Sequence, residues 1–345
     1  MTVEQKIKVA IIGARSFTAG ELVRIFLRHP YVEVTALQAR VDDPIPFDDF
    51  FTAYRGADMP PITAVDVKAV PEGTDAVYLC LPHTVAAEYA GQFITRGVRV
   101  FDLSADFRYK DHKMYEEAYS VAHPNPELNA KAQYGLPELF RATLKGSTLV
   151  ACPGCYPTAV GLALAPIMKR DMIVEDSVIA DCKSGVSGAG KTPNERTHYC
   201  NANENFQPYA VATHRHQSEI AQILTRLAGE KRTLTFVPHL VPMERGILAT
   251  VYAKLNEPIR ASVLRDLYSK FYVDDPFVRV LPEGVLPATA DVKYSNYCDI
   301  QVTVHEAERR LIVTAVIDNL VKGAAGQAVQ CMNASYALPE GTGLM

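Results

Sequence analysis

Residues 7–37, IKVAIIGARSFTAGELVRIFLRHPYVEVTAL, set an apolar run, a turn of small residues, an amphipathic stretch and a second β-branched run in immediate succession. That order is the pattern of a βαβ unit, and it commits the chain to an α/β fold with parallel strands covered by helices. Leu22, Ile25 and Phe26 recur at helical spacing, and Thr18 with Glu21 has the capping-box arrangement, so a helix is predicted to begin near Thr18. The alternation continues: DAVYLCLP reads as a strand, TVAAEYAGQFITRG as a helix closed by Gly97, and VRVFDLS as another strand. Right-handed crossovers between parallel strands would build a doubly wound, Rossmann-type sheet. The stretch PNPELN near residue 125 reads as a loop.

A chain of 345 residues exceeds the size at which one hydrophobic core stops growing, and 48% hydrophobic residues can fill two. The pattern changes near Val150. Beyond it, DSVIADCKSG, RTLTFVPHLVP, ILATVYAKL and YCDIQVTVHEAERRLIVTAVIDN are richer in β-branched alternation, which predicts an α+β unit around a mixed or antiparallel sheet. The expected organisation is a dinucleotide-binding domain over 1–150, a catalytic and oligomerisation domain over 151–319, and a C-terminal segment, 320–345, that packs back onto the first. Residues 320–338 of that segment carry an Ala-rich helical pattern.

Charge excludes several classes of partner. A net charge of -4 with both signs interspersed gives no basic field for nucleic acid or an anionic membrane, so any anion must be held locally. No apolar stretch approaches the roughly 20 residues that span a bilayer, and no signal sequence is visible, so the cytosol is the expected compartment and a small molecule the expected substrate. The seven cysteines are dispersed and form no disulfide framework.

A dinucleotide fold needs a tight loop whose N–H groups meet the pyrophosphate at a helix N-terminus. Gly13, Ala14, Arg15, Ser16, Phe17 and Thr18 occupy that place, although a plain βα turn would read similarly. The second strand ends Leu37-Gln38-Ala39-Arg40, with no acid for a ribose 2′-OH. An arginine there suits a 2′-phosphate, so NADP is expected over NAD, with Arg40 and Arg15 as phosphate partners.

In ACPGCYPTAVGLALAP, Cys155 follows a strand and precedes an apolar helical run. The positive end of a helix favours thiolate, which makes Cys155 a candidate nucleophile. A packing cysteine, a Cys152–Cys155 dithiol and half of a zinc site are the rival readings. No second C-x-x-C accompanies it, so no metal is expected. Thiol chemistry on a carbonyl needs an acid/base. THRHQSEIAQILTRLAG supplies His214 and His216 just ahead of a predicted helix, with Glu219 in its first turn.

DLSADFR, YGLPEL, PGCYPTA, KSGVSGAGK, HRHQSEIAQ, PHLVPMERGILATVYA and DNLVKGAAGQAVQCMN, in this order along nearly the whole chain, resemble the N-acetyl-gamma-glutamyl-phosphate reductase family, within the wider group that includes aspartate-semialdehyde dehydrogenase. The nucleotide loop departs from the family in carrying Ser16 and Ala19 where glycines are usual, and Cys152 often differs. The resemblance implies that Cys155 attacks an acyl phosphate, phosphate leaves, and the thioester is reduced by NADPH to an aldehyde, a step of arginine biosynthesis. It implies His216 as acid/base with Glu219 as its orienting partner, His214 being the reserve, and an oxyanion site in the turn around Cys155 and Tyr156. By the same resemblance Arg108 and Arg245 contact substrate, with Arg196 and Lys183 behind them, and Asn319 meets the nicotinamide amide. The loop over 184–190, with Ser184, Gly185 and Gly188, is expected to close over phosphate or nicotinamide. A homodimer or homotetramer is implied. The same chemistry on a carrier-bound aminoadipyl phosphate, an aspartate-semialdehyde type enzyme and a non-catalytic NADP-binding regulator are the alternatives.

Overall fold

The computed structural model describes residues 6–345. The chain forms two compact units, one taking in the chain through Pro153 together with Ala324–Met345, the other Gly154–Gly323.

The first unit is built on a seven-stranded sheet of β1 (Ile7–Ile12), β2 (Val32–Ala39), β3 (Ile62–Ala64), β4 (Ala76–Leu79), β5 (Arg99–Asp102), β6 (Gln133–Tyr134) and β7 (Leu149–Ala151), in the order β3-β2-β1-β4-β5-β7-β6. Every neighbouring pair is parallel. This is the doubly wound architecture that the opening pattern predicts. β4 is buried along its whole length because helices cover both faces of a central parallel strand, which is why it reads as an unbroken apolar run. The first helix, α1 (Phe17–Phe26), starts slightly earlier than expected: Ser16, not Thr18, is its cap, and its hydroxyl accepts the Ala19 N–H at 3.1 Å. Glu21 pairs instead with Arg24 one turn on. The helix α2 (Ala86–Thr95) ends at Gly97, whose φ of +76° suits a residue without a Cβ. PNPELN is not a loop. Pro126–Lys131 forms a short helix, α3, because Asn125 caps the Leu128 N–H at 3.0 Å and proline is pre-organised for a first helical position.

The C-terminal segment does not form one continuous helix over 320–338. A π-type turn over Val321–Ala325 precedes an α-helix over Gly326–Ser335. That helix packs on α1 and β5, where Arg99 lies over the Tyr336 ring at 4.1 Å and the Tyr336 hydroxyl donates to the Asp75 carbonyl.

The second unit holds a mixed seven-stranded sheet of β8 (Ile179–Gly185), β9 (Gln207–Pro208), β10 (Thr235–Val241), β11 (Ile247–Lys254), β12 (Val278–Val280), β13 (Cys298–His305) and β14 (Arg310–Ile317), in the order β12-β13-β14-β11-β8-β10-β9. The β8–β10 and β12–β13 pairs are parallel and the others antiparallel. Helix α4 (Cys155–Met168) packs on β11 and β14, and α5 (His216–Ala228) packs beside α4. Every residue of α4 after Cys155 is buried, as an all-round apolar helix requires. Pro166 inside α4 has no N–H for the Leu162 carbonyl four residues back. The Tyr272 hydroxyl, just beyond helix α6 (Ala261–Phe271), donates to that carbonyl instead, and the Tyr268 hydroxyl donates to Ala163 at 2.6 Å.

Candidate active site

Cys155 is the first residue of α4, half-buried, where a thiol meets the positive end of the helix. Cys152 and Cys182 are sealed in the core, and burial pushes the Cys182 thiol up, away from thiolate. His216 is the first residue of the adjacent helix α5, one position further in than the sequence suggested. Its neighbour His214 takes the role of a cap: the His214 Nδ1 accepts the His216 N–H at 3.0 Å. Burial, reinforced by the charge of Arg215, pushes the His214 imidazole down to about 4, so it is neutral near pH 7. An acceptor Nδ1 on a neutral ring puts the proton on Nε2.

The two histidine rings stand 4.7 Å apart, and the Tyr156 ring meets each edge-on at 5.8 Å. Phe236 closes the cluster at 5.2 Å from Tyr156, and the Tyr156 hydroxyl meets that of Tyr209 at 3.1 Å. The residue after the nucleophile thus packs directly against the candidate base. Glu219 is buried, and its Oε1 accepts the Gly154 N–H at 2.9 Å, immediately before Cys155.

The segment over 318–323 frames this centre. Asp318 is fully buried and accepts from the N–H groups of Leu320, Val321 and Tyr294 and from Arg245 Nη1 at 3.2 Å. Arg245 also lies over the Tyr294 ring at 4.4 Å. Asn319 accepts the Gly246 N–H at 2.7 Å and donates to the Ser187 hydroxyl at 3.0 Å, so both ends of its amide bind protein groups. Ser187 belongs to the glycine-rich loop, which is a 3₁₀ turn over Val186–Ala189 rather than an open excursion; Ser184 and Gly185 still belong to β8. Gly188 fits because a Cβ there would come within 2.5 Å of the Ser184 hydroxyl. Asp318, Tyr294, Tyr209 and Gly323 were missed by sequence reasoning. The one visible signal was a glycine interrupting an Ala-rich helical pattern.

Of the four cations singled out for substrate, Arg196 is exposed, with its guanidinium 5.7 Å over the Tyr209 ring. Lys183 pairs with Asp181 at 3.0 Å on the half-exposed face of β8. Arg108, in the first unit, is buried and donates to the carbonyls of Cys152 and Leu103, bracing the chain that leads into PGC. Nearby, Asp102 is pushed up to about 7, by burial first and by Asp106 next.

In the first unit, the turn from Gly13 to Ser16 delivers the chain to the start of α1. Gly13 has φ +91°, and a Cβ there would collide with the Cys80 carbonyl, so the backbone makes an approach open only to glycine. Arg15 is exposed and its Nη1 donates to the Arg40 carbonyl at 3.3 Å, which brings both arginines to the end of β2. Gln38, where an acid could have served a ribose, is buried and bonded to the Asp66 backbone through both ends of its amide. A glycine-permitted backbone turn at a helix N-terminus, with the Arg15 guanidinium beside it, fits the pyrophosphate of a nicotinamide dinucleotide. Among the described residues no group of three or more histidine, cysteine or acidic side chains could hold a metal ion, and no helix is long and apolar enough to cross a membrane.

Comparison with known proteins gives two family models on the chain: semialdehyde dehydrogenase, NAD binding domain, over residues 8–147, and semialdehyde dehydrogenase, dimerisation domain, over 155–319. N-acetyl-gamma-glutamyl-phosphate reductase of Geobacter sulfurreducens is 48% identical over 98% of both chains. The protein of that name from Pelotomaculum thermopropionicum is 47% identical over 98% of this chain and 97% of its own. The chain belongs to the semialdehyde dehydrogenase family.

Its fold is that of the semialdehyde dehydrogenases of known structure. Aspartate semialdehyde dehydrogenase II of Vibrio cholerae superposes with a TM-score of 0.73 at 16% identity, covering 96% of this chain and 98% of the other. The family's nucleotide-binding model falls within the first compact unit, which makes that unit a nicotinamide-cofactor domain, and its dimerisation model falls within the second.

Proposed function

We propose that this semialdehyde dehydrogenase family member is an NADPH-dependent reductase of N-acetyl-gamma-glutamyl phosphate, giving the semialdehyde and phosphate in arginine biosynthesis in the cytoplasm. The observation that carries the chemistry is the pairing of two helix starts: Cys155 opens α4, and His216 opens the helix packed beside it. Relatives of the stated name at 47–48% identity support the N-acetylglutamyl substrate over an aminoadipyl one.

In this reading Cys155 attacks the acyl carbon. His216 takes the thiol proton as the S–C bond forms and returns it to the departing phosphate oxygen as the C–O bond breaks, leaving a thioester. NADPH, when bound, would supply the hydride that brings this thioester to the aldehyde level. N–H groups at the start of α4, around Cys155 and Tyr156, hold the oxyanion, and breaking the C–S bond releases the aldehyde and a thiolate, which regains its proton from solvent through His216. Arg196 is the foremost candidate for an anionic group of the substrate, because it is exposed, whereas Arg108 and Arg245 are buried and bonded to protein. Lys183 stands behind them.

Gly13, Ala14, Arg15, Ser16, Phe17 and Thr18 would hold the cofactor's pyrophosphate and Arg40 with Arg15 its 2′-phosphate. Ser184, Gly185, Gly188 and Asn319 would shape the nicotinamide end, Asn319 by fixing the Ser187 turn rather than by direct contact. The second unit would join two copies through its sheet, where Val237, His239, Thr250, Tyr252, Ile312 and Thr314 alternate with buried positions and stay half-exposed.

The test follows phosphate-dependent NADP reduction with N-acetylglutamate semialdehyde, beside aspartate semialdehyde and aminoadipate analogues. Preference for the first is expected, with turnover abolished by Cys155→Ser and largely kept by Cys152→Ser. Inversion of the two serine variants would replace the thioester reading with a dithiol one.

A further inference from the structure

Helix α4 starts without the usual device for closing a helix end. Its N-cap is Gly154, which has no side chain to offer, and the third helical position is Pro157, which cannot supply the glutamate of a capping box. In a capping box that glutamate reaches back to the N-cap N–H. Here the Gly154 N–H goes to Glu219 Oε1 at 2.9 Å, from the first turn of α5. Glu219 is 1% exposed, so the contact is shielded from competing water. The same carboxylate therefore closes the start of the helix bearing Cys155 and rides on the helix that begins three residues earlier with His216.

We propose that Glu219 is a positioning residue for the nucleophile: it caps the Cys155 helix from the neighbouring helix through Gly154, and so fixes the sulfur relative to the His216 ring. The role rests on an acceptor oxygen, in contrast to an orienting carboxylate whose charge stabilises the imidazolium. It depends on the thioester reading given above for its effect on rate, but the cap itself is a structural contact with its own readout.

Two variants separate the possibilities. Glu219→Ala removes the acceptor, and a misplacement of this kind is expected to lower kcat about 100-fold while KM stays within about threefold. Glu219→Gln keeps an oxygen at the same reach and is expected to recover most of that loss. Backbone amide exchange of the Gly154 peptide in the full chain should accelerate in the alanine variant and return toward wild type in the glutamine variant. If glutamine is as slow as alanine in turnover, or if alanine leaves the Gly154 exchange unchanged, the proposal is overturned. A wild-type chain with no Cys155-dependent turnover would sink the functional reading instead, and the exchange comparison would still decide the cap. Should the alanine variant fail to fold, the glutamine variant decides by its kcat and exchange together.

Discussion

The backbone of Gly323 lies against the side chain of Cys155, so closely that a methyl group on Gly323 would stand 2.7 Å from the cysteine Cβ. The π-type turn makes this approach possible: the Gly323 N–H bonds back to the Asp318 carbonyl at 2.9 Å, five residues earlier. Gly323→Ala must push either the turn or the nucleophile aside. A fall in kcat of about 100-fold is expected, with the circular dichroism spectrum retained. Unchanged turnover would show that the cysteine tolerates the shift.

The two histidines should separate by pH. His216→Ala is expected to lose roughly two to four orders of magnitude in kcat, the range of a general acid/base. His214→Asn keeps a side-chain acceptor for the His216 N–H and should cost less than about tenfold, with the pH–rate profile in place. A profile that moves with the His214 change would reverse the assignment. In the folded chain burial and then Arg215 hold His214 down to about 4, below the ordinary histidine value of about 6.5, so the unfolded chain binds the proton more readily between them. Its contribution to stability is complete above about 6.5 and declines as the pH falls toward 4; in His214→Asn that acid loss should shrink in denaturant titrations.

The Arg15 guanidinium donates to the Arg40 carbonyl just past the end of β2. Arg40→Ala should lower kcat/KM for NADPH by about tenfold or more while leaving that for NADH little changed, as expected for loss of a charge-assisted contact to phosphate. Equal losses with both cofactors would place the 2′-phosphate elsewhere.

Tyr272 serves the carbonyl that Pro166 orphans inside the buried helix α4. Tyr272→Phe leaves the Leu162 oxygen buried without that donor and should destabilise the protein by about 1–3 kcal/mol, read as a lower denaturation midpoint at unchanged m-value. No shift in midpoint would mean another donor takes over.

Much of the fold was legible because burial imposes periods on a sequence. β4, and β1 from Val9 on, had to be apolar runs to lie buried on both faces, and β8, β10, β11 and β14 had to alternate because their two faces differ. Helix ends were less legible. Ser16 and Asn125 both cap helices, yet hydroxyl and amide caps resemble ordinary turn residues until the chain direction is known.

The sequence by itself determined the two architectures and the location of Cys155 at a strand-to-helix turn, because each is written in neighbouring residues. Only the tertiary structure decided that His214 is a neutral cap, that Glu219 reaches Gly154, that Arg245 is clamped by Asp318, and that Gly323 backs onto Cys155. The last three join residues far apart along the chain, the His214 ring is neutral through burial, and burial and close approach exist only once helices and strands have packed.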